Sequence, residues 1–420
     1  MKPKILTTMP DYTRGLFLQD TLAGITVAMV ALPLSLAIAI ASGADPSKGL
    51  VTAIVAGFLV SLLGGSRVQI GGPTGAFIVV VFGVVAQYGY DGLVLATLMA
   101  GVILLIAGYF RAGNLIRLIP EAVINGFTIG IAIIIATSQL KDLFGLSLAH
   151  EPSEFIEKVE ALWSVKDSFS LASFLVGLAT MVLIVFFRRA APKLPGLIVA
   201  IAITSVIAAV AHLPVETIHS RFGDLPNTLP WPELPEMSVS RMVELLPSAL
   251  IIAFLAAVES LLSAMVADRM IAGKHRPNAE LLAQGAANIG SAFFGGMPAT
   301  GAIARTATNV RAGGKTPVAG MVHALTILVV MLVAAPLVGY MPLPTLAGLL
   351  LLTAWNMSEP HKWRGYLAER KSDVFLLFLT VLLTVVADLT VAIGVGVALG
   401  LAFRLQRRNV PDSKWSDPER

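Results

Sequence analysis

The chain has 420 residues, of which 56% are hydrophobic and only 13% are charged, with a formal net charge of +4 and no cysteine. No water-soluble globular domain carries so few charges over such a length, and a chain without cysteine excludes disulfides, thiolate catalysis and cysteine-bound metals. The composition therefore predicts a protein that lies in a lipid bilayer.

Uncharged runs long enough to cross about 30 Å of hydrocarbon recur along the whole chain. The first run follows a polar start and is too long for the apolar region of a signal peptide, so we interpret it as a permanent span. We predict fourteen transmembrane segments. Their approximate bounds are residues 21–42, 49–65, 73–88, 92–110, 120–140, 169–187, 195–212, 245–267, 278–294, 299–311, 317–337, 343–357, 373–387 and 389–405.

The basic residues indicate how these segments are oriented. With the N-terminus inside, the inner segments hold 23 of the 30 Lys and Arg residues and the outer loops hold six. Arg305 is the remaining one, and it lies within segment 10. This asymmetry fits the positive-inside rule and predicts that both termini are cytoplasmic.

Segments 3 and 10 look interrupted, because each follows a stretch rich in Gly and Pro and opens on a proline, which suits the first turn of a helix. The paired glycines Gly64-Gly65 and Gly295-Gly296 lie about half the chain apart. We therefore predict an all-α polytopic membrane protein whose fourteen segments form a 7+7 inverted repeat, with half-helices at segments 3 and 10. The predicted parts are a first repeat over 1–212, an extracellular linker over 213–244, a second repeat over 245–405 and a cytoplasmic tail over 406–420.

In this arrangement the N-termini of the two half-helices point at each other near the middle of the membrane. Unwound backbone at that depth is tolerated only where it is buried in protein or lines a cavity. Each helix N-terminus also contributes free N–H groups and about half a positive charge. The two interruptions therefore predict an anion site.

The small residues that open both half-helices are candidate ligands for that anion. They allow it to approach the backbone N–H groups, and two threonine hydroxyls add donors. The alternative is that small residues only permit close helix crossing. The candidates are Thr74, Gly75, Ala76, Thr300, Gly301 and Ala302.

Two charged residues within the predicted spans complete the candidate site. Arg305 is expected to attract the anion, since charges at such depth are usually functional, unless it simply reaches the cytoplasmic surface from a short helix. Glu259 must be neutral, paired or bound to a cation, and we predict that it couples transport to a proton or sodium ion. Ser263, one turn further on, could share that site. The alternative for Glu259 is a static ion pair with Arg305.

The sequence resembles the SulP anion transporters, solute carrier family 26, over all fourteen segments. The most specific stretches are Asp20–Ala28 running to Pro33, Gly72–Thr74, Asn278–Asn288 (NAELLAQGAAN) and Gly313–Thr316. Other stretches look most like the bacterial branch that includes a dicarboxylic acid transporter, which implies a location in a bacterial plasma membrane. They are Glu259–Leu262, Ala302–Arg305, Asn309–Gly313 and Ala354–Glu359.

This resemblance implies a core domain of segments 1–4 and 8–11, a gate domain of segments 5–7 and 12–14, and an elevator-like movement between them. It also implies an anion held between segments 3 and 10, with a coupling ion near an acidic residue of segment 8, here Glu259. Arg305 falls where related animal proteins carry an arginine at the anion site. Bicarbonate-carrying relatives have Asp and use sodium, so the longer Glu leaves sodium and proton both open.

Most relatives continue into a cytoplasmic STAS domain, which regulates them and contacts a second subunit, whereas this chain stops just beyond segment 14. The expectation is activity without that domain, with its regulation left open. The expected partners are a small anion, the lipid bilayer and, as an open alternative, a second copy of the chain, with no nucleic acid. No cofactor is expected beyond a coupling proton or sodium ion, and no other metal.

The sequence thus predicts a secondary active transporter, coupled to protons or sodium, for a small anion such as a C4-dicarboxylate, sulfate or bicarbonate. An anion exchanger, or a channel or voltage-responsive motor of the same fold, is the main alternative. A nucleobase permease would want carboxylates facing its neutral substrate, and Arg305 argues against it. An enzyme is the least favoured class, since no nucleophile and base sit together on these segments.

Overall fold

The structure is a computed structural model that describes residues 2–114, 120–148, 151–191, 195–387 and 389–406. It consists of helices and one small two-stranded sheet. The helices are α1 Ile5–Thr8, α2 Arg14–Ala41, α3 Pro46–Leu63, α4 Ile78–Tyr109, α5 Glu121–Phe144, α6 Phe155–Ser164, α7 Leu171–Ala190, α8 Gly196–Val210, α9 Ile218–Phe222, α10 Val239–Ile271, α11 Pro277–Phe293, α12 Ile303–Arg311, α13 Pro317–Gly339, α14 Leu343–Met357, α15 Trp363–Ala368, α16 Lys371–Val386 and α17 Leu389–Gln406. The strands are β1 Gly71–Gly72 and β2 Thr300–Gly301.

Several of these helices suit a bilayer. Within the described ranges, seven of them are long and apolar enough to cross a membrane, namely α2, α3, α4 with the turn before it, α5, α7, α10 and α13, and α8 is a shorter apolar helix. The prediction of a helical membrane protein is therefore confirmed. Each predicted segment overlaps a helix, but length and composition alone do not settle fourteen crossings, and the inverted repeat stays a prediction.

The helix bounds differ from the predicted ones in a few places. Predicted segments 3 and 4 are joined in α4, whose one non-helical residue is Gly89, with φ 71° and ψ 176°. Only glycine adopts such a backbone conformation easily, so the chain changes direction there. The stretch between predicted segments 5 and 6 contains the short helix α6. The predicted tail over 406–420 lies outside the described residues except for Gln406.

The long helices pack in two groups. The first helix group consists of α2, α3, α4, α10, α11, α12 and α13, and the second helix group consists of α5, α7, α8, α14, α16 and α17. Close crossing in the first group depends on glycine: a Cβ on Gly101 of α4 would lie 2.8 Å from the carbonyl oxygen of Gly285 of α11. The groups meet where α14 packs on α2 and α5 packs on α4.

A buried carboxylate fixes α13 to α2 within the first group. Asp20 of α2 accepts hydrogen bonds from the backbone N–H groups of Lys315 (2.8 Å) and Thr316 (3.1 Å), which precede α13. Tyr12 donates its hydroxyl to the same carboxylate at 3.2 Å. Burial and the charge of Asp20 raise the pKa of Tyr12 to about 12, so its hydroxyl remains a donor at physiological pH. This anchor sets the position of two helices that line the candidate site.

Candidate functional site

The two predicted interruptions lie side by side. Strand β1 pairs with β2 in antiparallel register, with Gly71 opposite Gly301 and Gly72 opposite Thr300. The N–H of Ala302 extends this pairing, because it donates to the carbonyl of Ile70 at 2.8 Å. The two strands therefore leave this ribbon in opposite directions, β1 into the turn before α4 and β2 into α12.

The first interruption is held by polar side chains of the second half of the chain. Thr306 of α12 accepts a hydrogen bond from the N–H of Ile70 at 3.0 Å. Asn309, one turn further along α12, donates to the carbonyl of Val68 at 2.8 Å. Both side chains are buried. They satisfy backbone groups that a continuous helix would have paired internally.

The second interruption is held in the same manner by α11 and α3. Asn288 of α11 accepts from the N–H of Ala299 and donates to its carbonyl, both at 2.9 Å. Two residues earlier, Met297 donates its N–H to the hydroxyl of Thr52 at 2.7 Å and accepts from the hydroxyl of Ser291 at 2.7 Å. Side chains from both halves of the chain thus fix the extended segment before α12.

Replacement of Asn288 by alanine is expected to weaken both folding and anion binding. The change leaves the N–H and carbonyl of Ala299 buried without partners, which costs roughly 1–3 kcal/mol for each unsatisfied group. Thermal unfolding and anion uptake measured on the same preparation would check this. Asn356, which is exposed on α14, provides the matched control, and Asn356→Ala should behave as the wild type. A wild-type melting temperature for Asn288→Ala would show that the pairing carries no free energy.

Neither half-helix has a side chain that caps its N-terminus. The turn Gly75–Phe77 begins after Thr74, and α12 begins after Ala302, and in both cases the side chain of that preceding residue makes no capping hydrogen bond. A helix N-terminus normally satisfies these donors with a cap, with water or with a ligand. Two uncapped N-termini beside one ribbon therefore form a site with free donors and positive potential.

The threonine hydroxyls are directed elsewhere. Thr74 donates its hydroxyl to Oε2 of Glu259 at 2.8 Å. Thr300 is fully buried and donates its hydroxyl to the carbonyl of Ala256 at 2.9 Å. This departs from the expectation that both hydroxyls point at an anion, because neighbouring α10 offers each of them an acceptor. Of the predicted candidates, Gly75 and Ala76 lie in the first turn of a half-helix. Gly301 and Ala302 instead lie in the ribbon, where Gly301 pairs with Gly71 and the N–H of Ala302 donates to Ile70.

Glu259 is half-buried and lies at the start of the first half-helix, where its carboxylate accepts from Thr74. Ser263, the residue predicted to share its site, is instead fully buried with its hydroxyl 3.2 Å from that of Thr306. Glu259 and the half-helix that opens at Gly75 are therefore close enough for the carboxylate to feel the positive end of that helix.

Arg305 is buried inside the first helix group and is only 2% exposed. Nη2 donates to the hydroxyl of Ser35 on α2 at 3.2 Å, while Nε and Nη1 are buried without a hydrogen-bond partner. Within the described part of the chain, no carboxylate lies within ion-pair distance of the guanidinium. Arg305 thus neither reaches the membrane surface nor pairs with Glu259, and both sequence-based alternatives for these residues are wrong.

The glycine at position 72 makes room for this arginine. A Cβ there would lie 2.6 Å from Nη1 of Arg305, closer than any real contact, and Gly72 also has a φ of 150°. The guanidinium therefore lies directly against the ribbon that joins the two half-helices. A buried guanidinium with free donors and no carboxylate is stable only with an anionic or strongly polar partner.

Sequence reasoning missed the residues that hold the ribbon, namely Thr52, Asn288, Thr306 and Asn309, and it did not single out Ser35. Ser35, Thr52 and Asn288 are polar residues in largely apolar runs, which is a visible signal, whereas Thr306 and Asn309 lie in a helix that is polar along its length. Their partners lie in a distant part of the chain, so the sequence does not show what they bind. The arrangement offers donors and positive charge for an anion and, at Glu259, one carboxylate for a proton or a cation.

Comparisons with known proteins show the family of this chain. The sequence model of the "Sulfate permease family" matches residues 17–380. The Bacillus subtilis protein YvdB, which is named for sulfate transport, is 42% identical over 397 residues that cover 94% of this chain and 75% of that protein. The bicarbonate transporter BicA of a Picosynechococcus strain is 31% identical over 89% of this chain and 68% of its own length.

Solved structures show the same fold. The transmembrane domain of a cyanobacterial bicarbonate transporter BicA aligns with a TM-score of 0.80 at 29% identity, over 93% of this chain and 97% of that chain. The overall structure of SLC26A9 aligns with a TM-score of 0.87 over 97% of this chain and 68% of that chain. At 18% identity, the second match concerns the fold alone.

Proposed function

This chain belongs to the sulfate permease family, and we propose that it is a secondary active transporter that carries a small anion across a bacterial plasma membrane by alternating access. The anion would bind between the two half-helices and would leave chemically unchanged. The observation that carries this proposal is the pair of uncapped helix N-termini, with Arg305 buried beside them and no carboxylate on its guanidinium. All three features supply positive potential, while the carboxylate of Glu259 lies at the start of the first half-helix and offsets part of it.

The position of Glu259 supports coupling to a proton or a sodium ion. Its carboxylate lies at the start of the same half-helix that would hold the anion. Two negative charges close together in a low-dielectric site repel each other by several kcal/mol, so a proton or cation on Glu259 would make room for the anion. Release of one would then favour release of the other, which is the requirement for symport.

The two helix groups supply the moving parts. The first helix group carries both half-helices, Glu259 and Arg305, so it would travel with the anion as a core domain. The second helix group holds none of these residues and would act as the gate domain against which the core moves. The contacts of α14 with α2 and of α5 with α4 would be the surfaces that slide.

Uptake into proteoliposomes tests this function. Sulfate, bicarbonate and succinate should be offered separately as labelled substrates. The family and the names of similar proteins indicate sulfate and bicarbonate, and the sequence resemblance indicates a dicarboxylate such as succinate. We expect accumulation of at least one of them, driven by an imposed proton or sodium gradient. Current without gradient-driven accumulation would indicate a channel, and no flux of any anion would contradict the proposal.

Lys158 of α6 joins the two helix groups at the predicted outer side. Its Nζ lies 2.9 Å from Oε1 of Glu151, 2.9 Å from the hydroxyl of Ser138 on α5, and 4.4 Å from the centre of the Phe82 ring on α4. All three partners line one cavity of about 330 Å³. Lys158 itself is 3% exposed, so this contact closes over the cavity between a gate helix and a core helix.

Loss of this contact should favour the state that is open to the outside. Ala44 is buried and lines the same cavity, so Ala44→Cys in this cysteine-free chain reports access from outside. Lys158→Met should raise the rate at which an impermeant thiol reagent labels that cysteine. Lys166→Met is the matched control, since Lys166 lies over the ring of Trp163 and joins no two groups. Equal labelling rates in both variants would show that Lys158 does not restrain the movement.

The proposed orientation places both termini in the cytoplasm, as the excess of Lys and Arg on the predicted inner side favours. Single cysteines at Ile5 and Asp412 should resist an impermeant thiol reagent in intact cells and react after the cells are opened. A cysteine at Pro230, in the predicted extracellular linker, is the positive control. Labelling of either terminus in intact cells would refute the fourteen-segment topology.

A further inference from the structure

His323 of α13 is a buried titratable residue to which the proposed transport mechanism assigns no role. It is fully buried, and neither ring nitrogen makes a hydrogen bond of normal geometry. The carbonyl of Gly320, one turn earlier on α13, is the one backbone group that acts on the ring. Buried polar atoms nearly always have a hydrogen-bond partner. Two buried ring nitrogens without a normal hydrogen bond therefore point to a partner outside the protein chain.

His323 and Arg305 face the same part of the ribbon. A Cβ placed on Gly57 of α3 would lie 3.7 Å from Cε1 of His323 and 3.1 Å from the carbonyl oxygen of Gly71, so the imidazole lies near β1. The guanidinium of Arg305 lies against the next residue, Gly72, and its charge acts on the imidazole. Side chains from α12 and α13 therefore converge on β1, where the glycines let them approach the backbone closely.

The protein groups around these two side chains do not satisfy them. Nε and Nη1 of Arg305 lack hydrogen-bond partners, and the nitrogens of His323 have only the nearby carbonyl of Gly320, with which they form no hydrogen bond of normal geometry. Ser35 is the one polar side chain that Arg305 contacts, and its hydroxyl already donates to the carbonyl of Ala31 at 2.7 Å. No acidic side chain in the described residues pairs with either basic group. The missing partner must be small, must accept hydrogen bonds and must balance a positive charge.

We propose that His323 forms part of the anion site with Arg305 and determines which anion is preferred, an inference that rests on the proposed function. The imidazole would contact the side of the anion away from Glu259. It can donate to a bare oxyanion oxygen, or accept from the O–H of a hydrogen anion such as bicarbonate. It therefore distinguishes anions by the number of protons they carry, which the guanidinium, a donor only, cannot do.

The test compares His323→Leu with His323→Gln in proteoliposome uptake of sulfate and bicarbonate. Leucine removes both hydrogen-bonding functions, whereas glutamine keeps a donor and an acceptor. We expect His323→Leu to raise KM for the transported anion about tenfold, to change the sulfate-to-bicarbonate ratio, and to leave the maximal rate within about twofold. His323→Gln should restore KM to within about threefold. His361→Leu, at an exposed histidine outside the spans, is the matched control.

The outcomes separate this inference from the proposed function. If His323→Leu and His323→Gln both retain the wild-type KM and ratio while Arg305→Gln raises KM, His323 contacts water only and the inference fails alone. If Arg305→Gln also leaves KM unchanged, the anion site itself is misplaced and both fail. Should the leucine variant not fold, His323→Asn replaces it with the same expected rise in KM, because its shorter amide withdraws from the ribbon.

Discussion

Replacement of Glu259 by glutamine is expected to abolish gradient-driven accumulation of the anion while exchange and anion binding persist. The amide keeps an oxygen that can accept from the hydroxyl of Thr74, which lies 2.8 Å from the carboxylate, so the start of the half-helix should stay in place. It imitates a protonated acid, yet it cannot release a proton and offers no charge to sodium. The anion can still bind, but its crossing is no longer tied to the gradient of the coupling ion.

Proteoliposomes in which the pH and sodium gradients are varied separately provide the measurement. Accumulation against the anion gradient should be lost, while exchange of labelled for unlabelled anion should continue. Glu244→Gln is the matched control, because Glu244 lies on the same helix α10 but is exposed near its start. A Glu259→Gln protein that accumulates anion with the wild-type dependence on both gradients would remove Glu259 from the coupling mechanism.

Replacement of Arg305 by glutamine is expected to weaken anion binding by roughly 1–3 kcal/mol, or about 5- to 150-fold in affinity. The glutamine removes the buried positive charge from beside Gly72 without adding a new one. It also relieves the cost of burying a guanidinium that lacks a carboxylate, so the folded protein should be at least as stable as the wild type. Loss of affinity together with retained stability distinguishes a binding role from a structural one.

Equilibrium binding of the transported anion to purified protein, beside a thermal unfolding curve, checks both parts. Arg311→Gln is the matched control, because Arg311 lies on the same short helix but is exposed at its end. An unchanged affinity in Arg305→Gln, or a large loss of stability with unchanged affinity, would assign Arg305 to the packing of the core.

Much of the fold is legible in the sequence because the bilayer imposes simple rules. Long uncharged runs predict spanning helices, and the glycine pairs near residues 64 and 295 predict where helices are interrupted. The structure adds that the two interruptions pair as strands β1 and β2. No local pattern predicts that pairing, since the partners are more than two hundred residues apart and each strand has only two residues.

The residue types of the candidate site are visible in the sequence, but their contacts are not. Glu259 and Arg305 stand out as candidates, because charge within a membrane segment is costly. The direction of a hydroxyl cannot be read from the residue type, because it depends on which neighbour offers an acceptor. Thr300 turns to Ala256, and Ser263 faces Thr306, through contacts that only the packed helices define. For the same reason, the burial of Arg305 against Gly72 could not be distinguished in the sequence from a side chain that reaches the surface.

Anomalous diffraction would show directly whether an anion binds between the two uncapped half-helices. Crystals soaked with a heavy-atom analogue of the anion identified by uptake, selenate for sulfate or bromosuccinate for succinate, would be measured at the selenium or bromine edge. A peak is expected beside the backbone of Gly75–Ala76 and the start of α12, and it should be lost in Arg305→Gln. A transported analogue that gives its peak elsewhere, with none between the half-helices, would show that the anion binds at another site.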